Sequence, residues 1–188
     1  MSMDYYIYLK HPNAFSVQSF EQYCSSLGLH IELHPSFNLL EDAGFSPIRL
    51  IDERFVRDGR NHDFLSGFEL YSSEYQHVLR PQKKATGFLH KIFKAKPIQE
   101  TPFDRAIKDS TWLIELRCGS ADSFEVLLAC VFGAYLIKCC GGAFDDPQTG
   151  QLYDDYNHLE SEIEAIIADL LEQGNTGELL THEFKEWT

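Results

Sequence analysis

Apolar residues along this chain switch between a spacing of two and a spacing of three to four, and the switches mark its elements. Residues 4–9 (Asp-Tyr-Tyr-Ile-Tyr-Leu) are rich in strand formers, and Pro12 breaks the run. Ser16 then precedes a helical stripe of Val17, Phe20, Cys24 and Leu27 that stops at Gly28. Leu29, Ile31 and Leu33 alternate with His30, Glu32 and His34, which predicts a second strand with its polar side in water. Residues 35–46 read as a short helix or loop ending at Gly44. Strands are predicted near 48–56 and 67–72, around a polar loop at 57–63. A helix over 86–94 is bracketed by Pro81 and Pro97.

The C-terminal part is patterned more clearly. Trp112, Ile114, Leu116 and Cys118 share one face of a strand over 111–118. Asp122 and Glu125 form a capping-box pattern ahead of a helix over 123–138. That helix is apolar nearly all round, which predicts a central, buried position. Residues 139–153 read as a hairpin turning at Pro147-Gln148-Thr149-Gly150. A second capping pattern, Asn157 to Glu160, opens a last helix with a buried stripe of Leu159, Ile163, Ile166, Ile167, Leu170 and Leu171, ending at Gly174.

Strands and helices mix without regular alternation, which predicts an α+β fold: a mostly antiparallel sheet with helices packed on it. Two β-α-β units suggest a pair of ferredoxin-like halves, although no internal repeat supports duplication. The 188 residues suit one domain over 1–174 with a loosely docked tail over 175–188. Fourteen Phe and nine Tyr predict a core built largely from rings.

Charge changes the picture. Of the net −13, −11 lies between Gly141 and Thr188, where 12 acidic residues face a single Lys185. A one-signed field attracts the opposite sign, so a basic protein partner fits and nucleic acid or an anionic membrane does not. Asp145, Asp146, Asp154 and Asp155 flank the hairpin, and Glu160 and Glu164 lie on the outer face of the last helix. These six are the candidate partner-binding residues. The alternative for the same acids is a solvated face that keeps the protein soluble. Arg80, Lys83, Lys84, Lys91, Lys94 and Lys96 make a basic stretch that suits an acidic partner, a phosphate or the acidic C-terminal face.

No catalytic motif is present, and no cofactor is expected. The sequence Asp145-Asp146-Pro147-Gln148-Thr149-Gly150 departs from a calcium loop, and His30 and His34, a strand-face step of about 7 Å beyond one another's neighbour, do not chelate one ion. No metal site is therefore expected. Cys24, Cys118 and Cys130 fall in apolar-periodic segments and read as small hydrophobes in a reduced compartment. Cys139 and Cys140, read as strand residues, would point to opposite faces. The acidic start, Met1-Ser2-Met3-Asp4, lacks the features of a secretory signal, and the apolar run 126–137 is too short for a bilayer, so a cytoplasmic location is expected.

The segment Cys140-Gly141-Gly142-Ala143-Phe144-Asp145-Asp146-Pro147-Gln148-Thr149-Gly150-Gln151-Leu152-Tyr153, following a strand and an apolar helix, resembles bacterial immunity proteins of polymorphic toxin systems. The resemblance covers less than a quarter of the chain. It implies a small cytoplasmic, non-enzymatic inhibitor that neutralises a cognate toxin by occluding its active site, and it supplies no catalytic residues. The alternatives are a metal-assisted hydrolase using the C-terminal carboxylates, and an adaptor or ligand-binding regulatory domain.

Overall fold

The computed structural model describes residues 2–51, 63–78, 100–119 and 122–176. The predicted loop at 57–63 lies outside the described residues except for its last position, and the predicted helix over 86–94, most of the basic stretch and the tail from 177 onward lie wholly outside them. Among the described residues seven strands form one sheet: β1 (Ser2–Leu9), β2 (Ile31–Leu33), β3 (Ala43–Ile51), β4 (Asp63–Glu74), β5 (Trp112–Gly119), β6 (Gly142–Asp146) and β7 (Gln151–Tyr153). Their spatial order is β2-β3-β4-β5-β1-β6-β7, and every pairing is antiparallel. The helices are α1 (Val17–Ser26), α2 (Pro102–Ile107), α3 (Ser123–Cys140) and α4 (Tyr156–Thr176), with a 3-10 turn at Pro12–Ala14. The fold is α+β.

The two β-α-β units differ. β5 and β6 both run antiparallel to β1 and flank it, so β5-α3-β6 is a split unit with β1 in the gap. The connection from β1 through α1 carries the chain past β5, β4 and β3 to the far edge, where β2 pairs, among the described residues, with β3 alone.

Strand alternation assigns the faces. Tyr5, Ile7 and Leu9 are buried under the helices, while Asp4, Tyr6 and Tyr8 point to the other side. Helix α3 packs on β1, β4, β5 and β6, with α1 and α4 against it. Its length and composition would let it cross a membrane, but 72% of it is buried inside the protein. Phe132 sits at the middle of the core, its ring centroid 5.1 Å from Phe20, 5.2 Å from Phe68, 5.7 Å from Phe15 and 5.8 Å from Phe37. The next residue, Gly133, lets α3 lie directly on β6, because a Cβ there would land in the Phe144 ring.

Several boundaries differ from the sequence pattern. Gly44 lies inside β3, not at a helix end, because every residue of 43–51 finds a partner on β4, from Tyr71 back to Asp63. Cys139 and Cys140 are the last turn of α3, not the start of the hairpin, and the chain leaves the helix at Gly141 with φ +66°. Helix α4 runs through Gly174 to Thr176. Its stripe is as patterned: Leu159, Ile163, Ile167 and Leu170 are buried, and Ile166 and Leu171 are half-buried. Asp122 caps α3, accepting from the N–H groups of Phe124 (2.9 Å) and Glu125 (3.0 Å), while Glu125 reaches back to the N–H of Gly119.

Candidate functional site

The β6-β7 hairpin exists because β6 pairs with β1 while β7 closes back on it, Asp146 opposite Gln151. Gly142 is required at its start, since φ is +134° and a Cβ would collide with the Tyr8 carbonyl oxygen. The turn is tied down twice. The Gly150 N–H donates to the Asp146 carbonyl at 2.8 Å, and Gln148 Nε2 donates to the Asp4 carbonyl at 3.0 Å.

The six predicted acids do not form one surface. Asp145 pairs with Tyr6, so it lies half-buried on the sheet face opposite α3 and α4. Burial, and then Asp146 beside it, push its carboxyl above the ordinary aspartate range. Asp146 points the other way and is 9% exposed. It accepts from the N–H groups of Gln148 (2.8 Å) and Thr149 (3.4 Å) and from the Thr149 hydroxyl (3.0 Å), so its carboxylate holds the turn. Asp154 is exposed and lines a cleft of about 450 Å³ with Lys10, Arg105 and Gly142. Asp155 is exposed and accepts from the Asn157 N–H at 3.0 Å and from Asn157 Nδ2 at 2.8 Å. The cap of α4 is thus Asp155, not Asn157, because the helix begins at Tyr156. Glu160 is half-buried and Glu164 exposed on α4.

Between 145 and 172 the sequence has nine acidic residues and no Lys or Arg, and among the described residues none of the nine has an ion-pair partner. The nearest lysine in sequence, Lys138, is engaged elsewhere. Its ammonium lies over the rings of Tyr156 (4.3 Å) and Tyr23 (4.8 Å) and donates to the Tyr156 hydroxyl at 3.2 Å.

On the opposite sheet face, Arg117 joins three strands. Its guanidinium contacts Asp4 at 2.7 Å, Glu115 at 3.6 Å and Glu69 at 3.9 Å. Tyr6 and the exposed Phe45 and Tyr71 share that face. Glu32, read from the sequence as part of a His-Glu-His strand face, pairs with Arg49 at 3.0 Å, and His34 bonds Ser36 at 2.7 Å. Among the described residues no group of three His, Cys, Asp or Glu side chains stands close enough to hold a metal ion.

One constellation has no signature in the sequence. Tyr75 and His77 follow β4, Asp104 lies on α2, and the fold brings them together. The Tyr75 hydroxyl and His77 Nδ1 are 3.3 Å apart, and His77 Nε2 is 3.3 Å from Asp104 Oδ1, an ion-pair contact without hydrogen-bond alignment. The Thr101 hydroxyl and its backbone N–H hold the Asp104 carboxyl below the ordinary range, with a smaller effect from His77. Tyr75 also lines a cleft of about 790 Å³ with Lys10, His11, Glu74 and Trp112, whose buried indole N–H has no hydrogen-bond partner among the described residues.

The thiols separate into two groups. Cys24, Cys118 and Cys130 are buried, and burial pushes all three up, Cys118 and Cys130 to about 12. Cys139 and Cys140 place their sulfurs 3.3 Å apart on the last turn of α3, and the ammonium of Lys138 is turned away toward the tyrosines. No protein-family model, no curated protein and no solved structure matches this chain.

Proposed function

We propose that this chain is a non-enzymatic acidic binding protein, an immunity-type inhibitor that neutralises a cognate bacterial toxin in the cytoplasm by occluding its active site. The observation behind this reading is the set of nine carboxylates between 145 and 172 that have no ion-pair partner among the described residues. Apart from Asp146 and Asp155, whose carboxylates bond the turn and the start of α4, such an array adds no stability to the fold, because like charges repel one another. A basic surface docking on it gains in encounter rate and in specificity. The burial of Asp146 and the position of Asp145 narrow the surface to Asp154, Asp155, Glu160 and Glu164, with Glu162 and Glu172 exposed on the same helix.

A second reading is a ligand-binding regulatory domain. It is favoured by the 790 Å³ cleft, where the Trp112 indole N–H lacks a partner among the described residues.

The test uses the purified protein as bait in its host's lysate at low and at high salt, beside the variant D154N/D155N/E160Q/E164Q. The expected result is one basic protein retained at low salt, released at high salt, and lost by the variant. Equal retention by the variant refutes the acidic surface as the docking site. Absence of any salt-sensitive partner, with a small molecule recovered from the native protein, favours the second reading.

A further inference from the structure

We infer that Cys139 and Cys140 form a two-thiol site for a trivalent arsenical or antimonial centre. The site is independent of the acidic surface.

The geometry points to a bridging atom and away from a disulfide. Adjacent residues in a trans chain keep their Cα atoms about 3.8 Å apart, whereas disulfide-linked residues usually stand about 4.4–6.8 Å apart. A direct S–S bond here would require the end of α3 to unwind. The sulfurs already lie 3.3 Å apart with the helix intact, so an inserted atom needs no such change.

The size of the gap selects the atom. With bonds of about 2.3 Å to sulfur, a separation of 3.3 Å corresponds to an angle at the bridging atom of about 92°. A linear two-coordinate ion would need sulfurs about 4.6 Å apart, and a tetrahedral ion about 3.8 Å, on the same bond length. A tetrahedral structural ion would also need further ligands, and no group of three His, Cys, Asp or Glu gathers among the described residues. The near-right angle is that of a pyramidal trivalent p-block centre, which bonds through its p orbitals and takes two thiols.

Access and reactivity are divided between the pair. Cys139 is half-exposed and Cys140 is buried. Cys139 is the more accessible of the two sulfurs, so it attacks first. The second bond closes to Cys140, 3.3 Å away, as an intramolecular step. For an organic arsenoxide the reaction is RAs=O + 2 RSH → RAs(SR)₂ + H₂O. Two As–S bonds form, two S–H bonds and the As=O bond break, and water carries away both protons and the oxygen. No electron changes hands.

The probe is phenylarsine oxide, added to the folded protein and followed by intact mass. The expected result is a 1:1 adduct that survives excess 2-mercaptoethanol, dissociates with 2,3-dimercaptopropanol, and is lost in both C139S and C140S. Cys139 is half-exposed, so C139S carries the test even if C140S fails to fold. No adduct on the wild-type protein, or an adduct that persists in C139S, overturns the assignment.

Discussion

Replacing Asp146 with Ala separates the two roles that an acid beside this hairpin can have. The structure makes Asp146 a turn-holding residue: its carboxylate accepts two backbone N–H groups and one hydroxyl, and it is 9% exposed. Hydrogen bonds to a charged group contribute about 1.5–3 kcal/mol to stability, and orphaned buried donors cost a similar amount. Two features reduce the cost here. Gln148 and Thr149 are exposed, so water can reach the freed N–H groups, and the Gly150 N–H still closes the turn on the Asp146 carbonyl. The net loss is then about 1.5 kcal/mol. With a urea m-value of about 2 kcal/mol/M, the unfolding midpoint falls by about 0.75 M. The assay is urea denaturation followed by far-UV circular dichroism on wild type, D146A, D146N and D154A. D146N keeps an acceptor oxygen and should lose less than half as much, and D154A should match wild type. A D146A midpoint within about 0.2 M of wild type, or an equal fall in D154A, would refute the turn-holding role.

The other expectations concern the same region and the core. Asp145 has its carboxyl raised in the folded state, so its charged form is disfavoured by folding. D145N should therefore be more stable than wild type at neutral pH. That gain should shrink as pH falls through the raised folded-state value and vanish below the ordinary aspartate range, which paired denaturation curves across acid pH would reveal. Gly133→Ala puts a methyl group into the Phe144 ring, and overpacking of this kind costs about 1–3 kcal/mol. A thermal melt indistinguishable from wild type would contradict the close approach of α3 to β6.

Much of the fold was legible because local periodicity is set by local burial. The alternation in 29–33 and 111–118, the all-round apolar character of α3 and the stripe of α4 each reappear as buried positions. Boundaries were less legible where a distant partner decides them. Residues 43–46 join a strand only because β4 extends far enough to pair with them, and Cys139 and Cys140 stay helical because α3 continues to Gly141 before the chain turns to pair with β1.

The sequence by itself determined the class of the fold, its ring-rich core and the concentration of negative charge toward the C-terminus, since composition and period belong to the chain before it folds. Only the tertiary structure decided which way each acid points. Asp145 and Asp146 are neighbours in sequence and lie on opposite sides of a sheet, because successive strand residues alternate and only one side is covered by α3. The same holds for Tyr75, His77 and Asp104: α2 and the end of β4 meet through folding, and no spacing in the chain encodes that meeting.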